Sequence, residues 1–219
     1  MDDLTKARNN VSKAQQKMKS GGCGCFSDNQ EKKSEHAIKL YEEAAYIFQR
    51  EKQWHEAGKC FEEIAFLKER LGDSADKYYE EAASSYSFVD KKKSVEVMKN
   101  SVKKYEKSGQ FSNAGQSYQK MAQWFEEEKE FETSSMFYKR AADSYQIAKE
   151  PSKERECNIK HADISTINGL GDWKSYVETY ETIGKQYLLQ PMLKYQAKDM
   201  FFKIVCLYLL YDVRFPFIL

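Results

Sequence analysis

The chain has 219 residues, enough for one elongated domain or two small ones, and carries 35 Lys and Arg against 34 Asp and Glu, a formal net charge of +1. That balance excludes a whole-protein electrostatic match to nucleic acid or to an acidic membrane, leaving only local patches for such contacts. Three prolines and ten glycines among many Ala, Glu, Lys, Tyr and Phe residues favour helix throughout.

In chain order, the polar start predicts an N-terminal helix over 1–20 with no apolar signal core. A Gly- and Cys-rich loop over 21–34 follows, holding Gly21, Gly22, Cys23, Gly24, Cys25 and Phe26. From 35 to 190 the sequence reads as helical hairpins. The longest apolar run, Ile204 to Tyr211 between Lys203 and Asp212, is too short to span a bilayer. These features predict a cytosolic chain with reduced cysteines.

The hairpins announce themselves by self-similarity. Tyr41 is followed by Ala44, Ala45 and Phe48. Phe61 is followed by Ile64 and Ala65; Tyr79 by Ala82, Ala83 and Tyr86; Tyr118 by Met121, Ala122 and Phe125; Tyr138 by Ala141, Ala142 and Tyr145; Tyr180 by Ile183, Gly184 and Tyr187. A large residue, a small or apolar pair three and four later, and usually an aromatic at seven fall on one stripe of a helix. With Met98 and a weaker anchor near Cys157, most steps are 18 to 20 residues, one helix plus a turn. Gly72, Gly109, Pro151, Gly169, Gly171 and Pro191 punctuate the steps. The pairs Glu42/Glu43, Glu62/Glu63 and Glu80/Glu81 are expected on solvent faces. Each hairpin cannot bury its stripe alone and must stack on its neighbours. The fold class predicted is therefore all-α, a tetratricopeptide-like α-solenoid of antiparallel helical hairpins with somewhat longer helices.

Specific segments carry a resemblance. They are the N-terminal helix with its Gly-rich loop, the run from Ala37 to Phe48 leading into Trp54, Ala57 and Gly58, and above all the block Pro191, Leu193, Lys194, Tyr195, Ala197, Lys198, Asp199, Phe201, Phe202, Lys203. Helical periodicity alone would not generate that block. Over residues 1 to 212 the chain resembles the alpha-type soluble NSF attachment proteins, adaptors joining SNARE bundles to the ATPase called N-ethylmaleimide-sensitive factor (NSF). The resemblance implies a twisted sheet of hairpins, a C-terminal bundle beginning at 191–212, SNARE binding by basic side chains, membrane contact through an apolar N-terminal loop, and no catalytic site or cofactor. SNARE contact is expected at Lys160, Lys194, Lys198 and Lys203; Gln116 and Glu156 stand where family lysines are expected. Residues 213–219 form an atypical tail. The expectation is a C-terminally short or divergent form lacking most of the family's C-terminal bundle. An alternative is thus a helical-repeat interaction module that binds partners without stimulating the ATPase.

The membrane-contact loop is expected at Cys23, Cys25 and Phe26. One phenylalanine contributes roughly 2 kcal/mol on insertion, too little for stable anchoring. The two cysteines read as inert thiols, as S-acylation sites or as a metal half-site without a second half nearby. No metal site is expected. His55 and Glu56 begin a zinc-protease pattern that fails at Lys59, and Gly169 and Gly171 begin a dinucleotide pattern that fails at Lys174. His36, His55 and His161 show no evident partners, and Lys91, Lys92 and Lys93 read as a solvated turn or as a phosphate or headgroup contact.

Overall fold

The computed structural model describes residues 2–19 and 28–211, and among them every regular element is helical. The helices are α1 (Asp3–Lys19), α2 (Asp28–Arg50), α3 (Trp54–Leu71), α4 (Asp76–Tyr86), α5 (Lys91–Lys107), α6 (Phe111–Glu127), α7 (Phe131–Ile147), α8 (Pro151–Ile167), α9 (Trp173–Leu188) and α10 (Lys194–Tyr211), with a 3-10 turn at Pro191–Leu193. The helix expected to begin after a loop ending at 34 already begins at Asp28. The chain forms two compact units, Met1–Gly109 and Gln110–Leu219.

In the first unit, α1 to α5 pack each on the next in sequence. Their large anchors Tyr41, Phe61 and Met98 are buried, as are the small pairs Ala44/Ala45 and Ala82/Ala83. Tyr79 departs from the pattern: it is half-buried and lies under the Lys104 ammonium, 4.2 Å from the ring centre. In the second unit, α6 to α10 pack in the same sequential way, around Tyr118, Met121, Tyr138, Cys157, Tyr180 and Ile183. The hairpin logic of the sequence is the logic of the structure: each stripe is covered by its chain neighbours.

From α5 to α8 every helix has 17 residues. The three-residue links between them each contain one residue in the left-handed region: Gly109 (φ 74°), Lys129 (φ 61°) and Lys149 (φ 58°), with Gly169 (φ 66°) next in step. A left-handed residue just past a helix end lets its amide return to the last turn. Lys129 donates to the Glu126 carbonyl and Lys149 to that of Gln146, both at 3.1 Å. Pro151 opens α8, where its missing N–H costs nothing.

The acidic pairs do not sit wholly in solvent. Glu42, Glu62 and Glu80 are half-buried, and each accepts a tyrosine hydroxyl from a neighbouring helix: Tyr78 to Glu42 at 2.6 Å, Tyr86 to Glu62 at 2.6 Å and Tyr105 to Glu80 at 2.7 Å. The second unit repeats the device with Tyr138 to Glu126 at 2.8 Å and Tyr180 to Asp163 at 2.7 Å. A buried hydroxyl must find an acceptor, and a carboxylate at the rim of the stripe provides one that still keeps contact with water.

Candidate functional site

The lysines expected to meet a partner all lie in the second unit. Lys160 and Lys203 each pair with a carboxylate of another helix. Lys160 on α8 reaches Glu126 Oε1 on α6 at 3.2 Å. Lys203 on α10 donates to both carboxylate oxygens of Asp163, at 2.6 and 2.7 Å, and its ammonium stands 5.4 Å from the ring centre of Tyr180. Asp163 therefore joins three helices: it sits on α8, takes the Tyr180 hydroxyl from α9 and the Lys203 ammonium from α10. Lys203 is committed to this internal network.

Lys194 and Lys198 are different. Both are exposed on the first two turns of α10, four residues apart and so on one face. Lys198 rests its ammonium 5.3 Å from the ring of Tyr195, which is itself 79% exposed. The four lysines thus divide into a solvent-facing pair and a pair paired internally.

Lys160 also lines a groove of 410 Å³, together with Arg155, Ile159, Asp163, Tyr187 and Leu193. Arg155 lies 5.6 Å over the Tyr187 ring and donates from Nη2 to Ser152 Oγ at 3.3 Å. Its Nε is buried with no hydrogen-bond acceptor among the described residues. The same arginine lines a second groove of 630 Å³, which includes Asp143, Asn158, Glu178, Thr182 and Gln186 from α7, α8 and α9. Sequence reasoning passed over Arg155, because it lies in no motif and only packing places it between two grooves.

After Lys203, α10 carries no charged residue as far as its end at Tyr211. Phe202, Val205, Leu209 and Leu210 are between 54% and 69% exposed, whereas only Ala197, Met200 and Leu207 are buried. Among the described residues this helix therefore presents bare apolar surface. Neither it nor any other helix there is long and apolar enough to cross a membrane.

His161 has partners that the sequence did not reveal. Its Nδ1 lies 2.7 Å from the Ser135 hydroxyl and 3.0 Å from the Ser135 carbonyl oxygen, and Ser135 Oγ lies 2.5 Å from Ser165 Oγ. Burial holds its pKa below the usual histidine value. Ser135 and Ser165 are both buried, so this Ser-His-Ser contact ties α7 to α8 inside the packing. Burial likewise pushes the thiols of Cys60 and Cys157 up to about 12, which keeps them protonated. Among the described residues no group of three or more His, Cys, Asp or Glu side chains could hold a metal ion. The loop residues Cys23, Cys25 and Phe26 lie outside the described residues.

Comparison with known proteins agrees with this architecture. A solved signal-transduction ATPase with a tetratricopeptide repeat sensor, from Pyrococcus horikoshii, superposes with a TM-score of 0.56 at 13% identity, covering 96% of this chain and 34% of that one. The likeness is one of fold, and the all-α, tetratricopeptide-like class expected from the repeat is the class observed. Among curated proteins, an alpha-soluble NSF attachment protein of Vitis vinifera is 26% identical over 199 residues, covering 90% of this chain and 66% of the relative. The alpha-soluble NSF attachment protein of Homo sapiens is 28% identical over 174 residues, 78% of this chain and 58% of the relative. This chain therefore spans less than two thirds of the length of these relatives. The family model for soluble NSF attachment proteins matches residues 5–214, nearly the whole sequence. This chain belongs to the soluble NSF attachment protein family.

Proposed function

We propose that this chain binds SNARE complexes as an adaptor in intracellular vesicle fusion and in SNARE disassembly. The observation that carries the reading is the family match over residues 5–214 on a frame of stacked helical hairpins. In this proposal Lys194 and Lys198 are the principal contacts, since both are exposed and neither is held by a carboxylate among the described residues. Lys160 contributes when a partner carboxylate competes with Glu126. Lys203 positions Asp163 and α10 instead of touching the partner. An acidic helical bundle would be drawn in by these lysines, with an affinity that falls as salt rises.

Recruitment of NSF belongs to the same proposal, as does peripheral attachment on the cytosolic face of membranes through Phe26 with S-acylation of Cys23 and Cys25. Burying Phe26 alone contributes only about 2 kcal/mol, so acylation is what would make the attachment durable. Hydroxylamine should then release the protein from membranes, and an unchanged bound fraction refutes the acylation.

The test of the main reading is capture of assembled SNARE bundles. Wild-type protein should retain them at low salt and lose them progressively as salt rises. Lys194→Glu with Lys198→Glu should weaken capture at least about tenfold, given reversal of two contacting charges. Equal capture by the variant at low salt would falsify the assignment of these lysines, and no capture by the wild type would end the SNARE reading. Stimulation of NSF ATP hydrolysis in the same mixture separates an adaptor from a module that binds the bundle without engaging the ATPase.

A further inference from the structure

We infer that one end of the first unit, where the α2–α3 and α4–α5 turns meet, is a docking surface for an anionic lipid bilayer. Two independent features point there. The first is apolar: Phe88 and Val89, in the α4–α5 turn, are 66% and 55% exposed. Phe88 stacks on Trp54, the first residue of α3, with ring centres 4.3 Å apart. That stack brings the two turns together and presents an indole, a phenyl ring and an isopropyl group in one cluster. Trp in particular favours the depth of lipid headgroups, where its ring meets the acyl boundary and its N–H stays wet.

The second feature is charge held against the local field. Lys91, Lys92 and Lys93 occupy the first turn of α5. A helix N-terminus carries partial positive charge, so three adjacent lysines there oppose both the helix dipole and one another. The Asp90 carboxylate caps the helix, accepting from the Lys93 amide at 3.0 Å, and Lys93 reaches Glu62 at 3.2 Å. Lys92 makes no ion pair among the described residues, and neither does Lys52, at φ 56° in the α2–α3 turn. The nearby acids are already engaged: Glu51 by Arg50, Glu56 by Lys59, and Asp90 as the cap. The lysines continue along α5, which holds seven of them against two glutamates, with Lys99, Lys103 and Lys107 exposed.

A basic cluster beside exposed aromatic and aliphatic side chains matches an anionic bilayer, which offers phosphates to the ammonium groups and acyl chains to the rings. An acidic polypeptide would satisfy the lysines but gives no reason for bare Phe88 and Val89. Asp28, the first described residue after Cys23, Cys25 and Phe26 in the sequence, opens α2, whereas Lys52 follows the other end of this 23-residue helix, about 34 Å away.

The test is co-sedimentation of the full chain with vesicles of phosphatidylcholine alone and with about 30% phosphatidylserine, whose surface attracts each nearby lysine. Wild type should bind the anionic vesicles, lose binding in high salt, and leave the neutral vesicles free. Lys91→Glu with Lys92→Glu should reduce the partition coefficient at least about tenfold, since each cation near such a surface is worth about fivefold. Phe88→Ser should reduce it about tenfold by removing one inserted ring. The lysine variant should melt no lower than wild type, because acids at a helix N-terminus suit the dipole, so lost binding cannot be laid to unfolding. Phe26→Ser serves as a control at the other segment, and SNARE capture by the lysine variant should be unchanged, which keeps this inference distinct from the proposed function. Anionic binding that survives the lysine reversal, equal binding to neutral vesicles, or lysine-dependent binding to polyglutamate with none to vesicles would each overturn the inference.

Discussion

Gly58 on α3 lies so close to Tyr86 on α4 that a Cβ built on the glycine would sit 2.7 Å from the tyrosine ring. The ring is buried and its hydroxyl donates to Glu62, one turn along from Gly58 on α3. The second unit repeats the arrangement: a Cβ on Gly115 would meet the Tyr145 ring at 2.9 Å. A rigid ring pinned by a hydrogen bond cannot move aside cheaply. Gly58→Ala and Gly115→Ala should therefore each destabilise by about 1–3 kcal/mol, despite alanine's better helix propensity. Urea denaturation measures this, and a more stable Gly58→Ala protein would mean that the helices have room to part.

Lys203 and Asp163 lie 40 residues apart and close the α8–α9–α10 contact. Their side chains are 33% and 28% exposed, so solvent screens the pair only in part. Lys203→Met should cost about 1–2 kcal/mol, leaving Asp163 with the Tyr180 hydroxyl as its remaining hydrogen-bond partner here. Lys194→Met and Lys198→Met, at exposed positions, should change stability by less than about 0.5 kcal/mol. Adding Asp163→Asn to Lys203→Met should restore part of the loss. Equal effects at 198 and 203 would contradict the division between internal and solvent-facing lysines.

His161 gives the fold a pH dependence of definite sign. Its folded pKa lies below its ordinary value of 6.5, chiefly from desolvation, with the Ser135 carbonyl hydrogen bond acting in the opposite direction. As pH falls through about 6.5, the unfolded chain takes up a proton that the folded chain resists, so stability falls. Above that pH the contribution is fully present. Melting temperature measured from neutral to mildly acidic pH should drop for wild type, and the drop should be shallower in His161→Gln. Identical slopes would show that other groups govern this range.

The left-handed links offer a stability test without any contact to remove. Lys149 sits at φ 58°, where a side chain is disfavoured, and Gly169 holds the equivalent conformation without penalty. Lys149→Gly should raise stability slightly, by up to about 0.5 kcal/mol, because part of the relief is offset by the freer unfolded chain. Gly169→Ala should lower it by about 1 kcal/mol. Chemical denaturation of the pair reads both signs.

Thiol reactivity should separate the described cysteines. Cys206 is exposed, while Cys60 and Cys157 are buried with thiols pushed up to about 12. Brief maleimide labelling of native protein followed by peptide mapping should modify Cys206 and spare Cys60 and Cys157. Rapid labelling of Cys157 would indicate that α8 opens readily.

The sequence by itself determined the helical class, the stripe of anchors and small pairs, and the turns at Gly72, Gly109, Pro151 and Gly169. Each of these rests on spacing within a single helix or on the backbone preference of one residue, and such information is local. Tertiary structure decided the rest: that Glu42, Glu62 and Glu80 accept tyrosine hydroxyls, that His161 is held by Ser135, that Lys203 belongs to Asp163 while Lys198 faces solvent, and that Phe88 stacks on Trp54 beside three lysines. These are meetings between side chains 26 to 40 residues apart in most cases, set by which helix packs on which and in what register. Lysine at the left-handed positions 52, 129 and 149 was hidden for a related reason: the closing hydrogen bonds and packing of two helices hold a conformation that lysine alone does not favour.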